Sequence, residues 1–191
     1  MVELSQMLAA RDRRVERQDA LLRQYGLPLV SFTLNIAGPV KNSPDIRRLF
    51  SLGRELLLFP TTPLPEVQET LEELSLSRRY QLVVFTKGEL LDQENKLRRS
   101  GLEQYFSHME TVSNKTEKEY RQLCENLGVA PEQTVMVGNS FRSDIGPALR
   151  AGAYAIHIPY HVVWELEKSE EYPHERLQKI VHFNEILDIL D

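Results

Sequence analysis

Three short stretches of the sequence carry residues suited to holding an anion, and each follows an apolar run. The first is Thr86-Lys87-Gly88, after Leu82-Val83-Val84-Phe85. A hydroxyl, an ammonium group and a glycine that lets backbone amides come close would receive phosphate oxygens, and a helix starting there would add the partial positive charge of its amino end. The second is Lys115, preceded by Ser113 and Asn114, a point charge able to clamp the same anion. The third, Gly138-Asn139-Ser140-Phe141-Arg142-Ser143-Asp144, sets an amide and a carboxylate five residues apart across one turn. Such oxygens suit Mg²⁺, which keeps waters and takes one or two protein carboxylates. Taken singly, each group has a plainer explanation: Thr86 as a strand-end cap, Lys115 as a solvated lysine, and Asp144 as a carboxylate stabilised by a helix dipole.

The elements that would position these residues follow from periodicity. Beyond the prolines at 60, 63 and 65, the pattern predicts a helix from Val67 to Leu76, a strand ending at Thr86, a helix from Leu90 to Arg99 stopped by Gly101, and a strand over 107–113. A helix through Tyr120, Leu123, Cys124 and Leu127 follows, then a strand over 134–138, a helix ending near Gly152, a last strand over 153–158, and two short helices near Arg176 and Ile186. Strands alternating with helices at this spacing predict a parallel sheet covered on both faces. In such a sheet, ligands sit beyond the carboxyl ends of the strands, where all three stretches stand. Cys124 falls on the apolar face of its helix and is expected in the core.

The first 54 residues read differently. Residues 3–25 predict an amphipathic helix with an arginine-rich outer face, residues 29–36 a short buried strand, and Ser43 or Asp45 caps a helix through Ile46, Leu49, Phe50 and Leu56. Residues 1–54 hold 9 basic and 5 acidic groups, whereas 55–191 hold 14 and 23, a step that suggests two parts with different histories or different partners, although a basic helix packed on an acidic domain would look the same. The length suits a single packed domain with a helical arm. No apolar run is long enough to span a bilayer, and charges at Glu3, Arg11, Asp12 and Arg13 argue against a secretory signal, so the location expected is cytoplasmic, without a membrane partner. The arginines at 11, 13, 14 and 17 are expected to form a solvated helix face and not a nucleic-acid surface, because the chain is acidic and aromatic interleaving is missing.

The stretches VVFTKG, VSNK and VMVGNSFRSDI, in this order, resemble motifs II, III and IV of the haloacid dehalogenase-like (HAD) superfamily of phosphohydrolases. KGELLDQENKLRRSGLEQYF and HIPYHVVWE further resemble the subgroup that includes small-molecule and nucleotide phosphatases. The resemblance runs from about Arg54 to Asp191. It implies an α/β, three-layer Rossmann-like (HAD-like) parallel sheet, here with an N-terminal helical arm and no cap domain. It also implies that Thr86 and Lys115 act on a phosphoryl group, that Lys87, Gly88, Asn139 and Ser140 bind it, and that Asp144 with Asn139 holds Mg²⁺. The ligand implied is a phosphorylated small molecule; assembly into a homo-oligomer stays open. His157, His161 and Trp164 follow the last strand, and loop histidines there are more often structural.

One departure stands out. The superfamily's motif I is an aspartate pair spaced by one residue, a nucleophile and its general acid–base partner. Aspartate occurs here only at 12, 19, 45, 92, 144, 188 and 191, and no two are so spaced. The segment MLAARDRRVERQDALLRQYGLPLVSFTLNIAGPVKNSPDIRRLF instead resembles the opening of apo-citrate lyase phosphoribosyl-dephospho-CoA transferase, over roughly residues 3–54. Two parts are therefore expected: 1–54, transferase-like, and 55–191, the HAD-like core, joined as a fusion. The motif I strand lies centrally in the HAD sheet, between the strands ending at Thr86 and Gly138. Residues 30–35 are the candidate to replace it, with Thr33 and Asn35 where the aspartates would stand. Three functions then compete: an impaired Mg²⁺-dependent phosphomonoesterase, a non-catalytic pseudoenzyme that binds a phosphorylated ligand, and a transferase acting on the citrate lyase acyl carrier protein.

Overall fold

The computed structural model describes residue 1 and residues 61–159 and 169–190. By its contacts the chain divides into one unit of Met1–Leu8 with Thr62–Asp191 and another of Ala9–Thr61. The predicted helices over 3–25 and 46–56, the strand over 29–36, and His161 and Trp164 lie outside the described residues.

In chain order the described elements are α1 (Val67–Ser77), β1 (Val83–Lys87), α2 (Leu90–Ser100), β2 (His108–Val112), α3 (Glu117–Leu127), β3 (Val135–Gly138), a single π-helical turn (Phe141–Ile145) running into α4 (Gly146–Ala151), β4 (Tyr154–His157), β5 (Leu177–Lys179) and α5 (Ile186–Leu190). β1 pairs in parallel with β2, Val83 opposite His108. β3, β4 and β5 form a second parallel ladder in that order, Val135 opposite Tyr154 and Ala155 opposite Leu177.

Alternation along the strands separates two apolar layers, because successive side chains on a strand point to opposite faces. Val84, Val137 and Ile156 pack with Val67, Leu71 and Leu74 of α1, Leu97 of α2 and Ile186 of α5. Val83, Phe85 and Met136 pack on the other side with Tyr120 and Leu123 of α3 and Ala148 and Ala151 of α4. This is the three-layer α/β arrangement expected. Gly101, Gly128 and Gly152 close α2, α3 and α4 in the left-handed conformation, at φ 74°, 68° and 101°. No helix among the described residues is long and apolar enough to cross a membrane.

One expectation fails. The segment after Arg176 is a strand, β5, and not a short helix. Leu-Gln-Lys has no helical period, and its backbone satisfies the outer edge of β4: Ala155 N–H bonds Arg176 O and Ile180 N–H bonds His157 O, at 2.9 and 3.0 Å. The helix predicted near Ile186 is present.

Candidate functional site

The turn after β3 is built around a close approach. A Cβ on Gly138 would stand 2.5 Å from Cβ of Asp144, so only glycine lets this carboxylate fold back against the strand end. The π-helical turn does the folding: Gly146 N–H reaches Phe141 O across five residues, and Asp144 N–H bonds Ser140 O at 2.8 Å. Ser140 holds the turn at both its backbone and its side chain. Its N–H donates to Asp144 Oδ2 at 2.9 Å, while its hydroxyl oxygen accepts from Ser143 N–H at 3.0 Å. From α3, the Tyr120 hydroxyl donates to the Asp144 carbonyl at 2.9 Å.

Lys115 meets the other oxygen. Its Nζ donates to Asp144 Oδ1 at 2.7 Å, and the two side chains are 1% and 2% exposed. Nζ also lies 5.5 Å from the centre of the Phe85 ring on β1, and that ring packs edge-on against Tyr120 at 4.8 Å. One ammonium group therefore ties the carboxyl ends of β1 and β3 together. The α3 amino end follows directly, where the Glu119 carboxylate accepts from both the N–H and the hydroxyl of Thr116. The Thr116 hydroxyl is the main cause holding the Glu119 carboxyl below its ordinary range.

The turn after β1 is looser. Thr86 is buried, and its hydroxyl donates to Gln93 Oε1 at 3.4 Å. Gly88 has φ 145°, a left-handed value, and a Cβ there would meet Gln93 Nε2 at 2.7 Å. Lys87 is exposed and crosses to the β3 turn, with Nζ 3.5 Å from Ser143 Oγ. Asn139 is buried, its carbonyl is taken by His157 Nε2 at 3.0 Å, and its amide group makes no hydrogen bond with a described residue.

Lys115, Asp144 and Ser140 are thus in direct contact, Lys87 joins them through Ser143, and Thr86 and Gly88 sit behind Lys87 on Gln93. Sequence patterns missed Gln93, Tyr120 and the part played by His157. Gln93 and Tyr120 fall on helical core positions, and only their polar ends, aimed back at the strand termini, mark them as part of the site. Cys124 is buried as expected, and burial pushes its thiol up.

The edge of β3 away from β4 is met by the amino terminus. Met1 pairs there in parallel fashion: its amine donates to Val135 O at 2.6 Å and its carbonyl accepts from Val137 N–H at 2.8 Å. Burial pushes the amine down to about 5, opposed by Cys124 and aided by Lys115. Residues 30–35, the sequence candidate to replace the motif I strand, lie with Thr33 and Asn35 outside the described residues.

The described donors fit Mg²⁺ poorly. Asp144 is the one carboxylate at the turn, both its oxygens accept hydrogen bonds, and the Lys115 ammonium neutralises it. Asn139 would add a neutral oxygen. Among the described residues, no cluster of three histidine, cysteine, aspartate or glutamate side chains could hold a metal ion. Across 86–89, 115 and 139–144, Lys87, Lys115 and Arg142 outnumber Glu89 and Asp144 by one. That balance favours an anion over a cation.

Sequence and structure find different relatives for this chain. Residues 2–77 match the family profile of apo-citrate lyase phosphoribosyl-dephospho-CoA transferase. A protein of that name from Escherichia coli O1:K1 is 44% identical over 52 residues, 27% of this chain and 28% of its own length, so the chain spans well under a third of the relative it matches. The fold is the HAD-like Rossmann-type α/β fold. The crystal structure of a haloacid dehalogenase-like family hydrolase from Xanthomonas campestris superposes with a TM-score of 0.77 at 23% identity, covering 99% of this chain and 92% of that one. A HAD-hydrolase of Bacillus subtilis, described as bound to magnesium, gives 0.68 at 14% identity, covering 99% and 96%.

Proposed function

We propose that this chain binds a phosphorylated small molecule at the rim formed by the ends of β1 and β3, without hydrolysing it through an aspartyl-phosphate. The observation that carries the proposal is the buried contact of Lys115 with Asp144 and of Asp144 with the Ser140 amide, at 2.7 and 2.9 Å, beside the exposed Lys87. These groups hold the Lys115 ammonium and the turn after β3 in place before any ligand arrives, and such preorganisation saves ordering cost on binding. Lys87 would close on the ligand by exchanging its long contact to Ser143 for a phosphate oxygen. The Ser140 and Gly88 N–H groups are spent on Asp144 Oδ2 and Val112 O, so these residues shape the rim, and Thr86 supports the turn.

Turnover by the superfamily route requires a carboxylate to attack phosphorus and a second group to move a proton. Within these 191 residues no aspartate pair has the required spacing, and Asp144 is engaged by Lys115. Both Asp144 oxygens are already engaged, one of them by the Lys115 ammonium, so binding here is proposed to proceed without a divalent cation.

The test is calorimetric titration of the 191-residue chain with inorganic phosphate, in EDTA and again in Mg²⁺, with para-nitrophenyl phosphate turnover measured in parallel. Equal phosphate affinity in both buffers and no product is the expected result. Magnesium-dependent product release, lost in Asp144→Ala, would overturn the proposal in favour of a working phosphomonoesterase. The transferase activity belongs to proteins matched over 28% of their length, and no described residue adds to the case for it.

A further inference from the structure

His157 closes β4, is buried, and takes no part in the phosphate-binding role proposed above. Its Nε2 stands 3.0 Å from the carbonyl oxygen of Asn139. A carbonyl can only accept, so Nε2 carries the proton and donates it. That carbonyl belongs to the same peptide unit as the Ser140 N–H, which donates to Asp144 Oδ2 at 2.9 Å. One peptide plane is therefore held at both ends, by an imidazole on its oxygen and a carboxylate on its hydrogen. Such bonds reinforce one another, because drawing electron density toward the carbonyl oxygen makes the N–H a better donor. The third member of the series is Lys115, on the other oxygen of the same carboxylate at 2.7 Å.

The ring has little freedom to turn away. Its Nδ1 lies 3.8 Å from Glu171 Oε1, and Glu171 is anchored in turn by Lys179 of β5 at 2.9 Å. The Phe141 ring meets the imidazole edge-on at 5.8 Å, and Tyr172 backs Phe141 at 4.9 Å. β5 and the segment before it thereby fix the orientation of a side chain that touches the rim only through backbone.

We propose that His157 is a positioning residue: by holding the Asn139–Ser140 peptide it sets the Asp144 carboxylate, and through it the Lys115 ammonium, at the place where phosphate is received. Its consequence for binding rests on the phosphate-binding reading, whereas the positioning itself can be observed without a ligand. The experiment uses the ¹⁵N-labelled 191-residue chain as wild type, His157→Leu and His157→Gln. Hydrogen exchange is followed at the Ser140 amide and, as a reference on the preceding strand β3, at the Val137 amide, with inorganic phosphate titrated into each protein.

In His157→Leu, Ser140 exchange is expected to accelerate about tenfold or more while Val137 keeps its protection, and phosphate affinity is expected to fall by a similar factor. His157→Gln, whose amide can still donate to Asn139, is expected to recover most of both. Ser140 and Val137 losing protection together, or glutamine behaving as leucine does, would mark His157 as mere packing and overturn the proposal. A selective Ser140 response in a wild type that binds no phosphate would uphold the positioning role and remove the phosphate-binding reading instead.

Discussion

After β1 the chain leaves the sheet through Lys87, Gly88 and Glu89, all exposed, and after β3 through Asn139, Ser140 and Phe141, all buried. Both are strand-to-helix turns at the carboxyl ends of parallel strands. Among the described residues, the side chains of the β1 turn make contacts of 3.4 and 3.5 Å, from Thr86 to Gln93 and from Lys87 to Ser143, and Gly88 N–H bonds Val112 O at 3.2 Å. The β3 turn is held by bonds of 2.7–3.0 Å from Lys115, Ser140, Ser143, Tyr120 and His157. On the phosphate-binding proposal, the difference divides the work: the β3 side is a preset frame, and the β1 side is the part that moves onto a ligand.

The comparison breaks most visibly at Asp144. Asp144→Ala removes the carboxylate that the buried Lys115 ammonium meets at 2.7 Å, and a loss of about 3–5 kcal/mol is expected in urea denaturation. Replacing both members, as Lys115→Met with Asp144→Leu, should cost far less, since the desolvation of each charge disappears with it. A double replacement as damaging as Asp144→Ala would show that the frame depends on shape and not on charge.

Glycine substitutions compare the two turns directly. Gly138→Ala presses a methyl group onto Cβ of Asp144, an atom held by the π-helical turn, and about 1–3 kcal/mol is expected. Gly88→Ala meets the far end of Gln93, which can swing aside, leaving mainly the cost of φ 145°, about 1 kcal/mol. Equal losses would erase the distinction between the rigid and the yielding side.

Much of this division is legible in the sequence, and the parts that are not have physical reasons. Thr86, Lys115 and Asp144 stand out because each polar group follows an apolar run, and Gly101, Gly128 and Gly152 mark helix ends by the conformation they alone adopt cheaply. The strand β5 is illegible: Leu-Gln-Lys becomes a strand because β4 has an edge to satisfy, a tertiary demand without a local pattern. Met1 on β3 is the same case reduced to one residue. The π-helical turn is hidden because one extra residue in a turn leaves no trace in a helical period, yet it decides that the Asp144 carboxylate points back to Lys115. A carboxylate five residues beyond an amide suggests a metal ligand in one dimension; in three, the lysine reaches it at 2.7 Å.

Lys87→Ala sharpens the comparison from the ligand's side. The residue is exposed, so stability should stay within about 0.5 kcal/mol of wild type. Phosphate affinity should nevertheless fall roughly tenfold, the scale of one exposed charge-assisted contact. Unchanged affinity would return the β1 turn to a structural role.

The smallest effect concerns how Lys115 is delivered. The lysine immediately precedes Thr116, whose N–H and hydroxyl both bond the Glu119 carboxylate at the α3 amino end. That carboxyl is held below its ordinary value first by the Thr116 hydroxyl. A carboxylate with a lowered folded value stabilises the fold above its unfolded value, and the contribution is lost as pH falls through the folded one. The melting temperature of the wild type should therefore drop more between neutral and mildly acidic pH than that of Glu119→Gln, which has no charge to lose. Because Glu119 is only half-buried at the surface, the gap should be slight, and parallel profiles for the two proteins would show that the α3 cap contributes nothing to holding the Lys115 side of the frame.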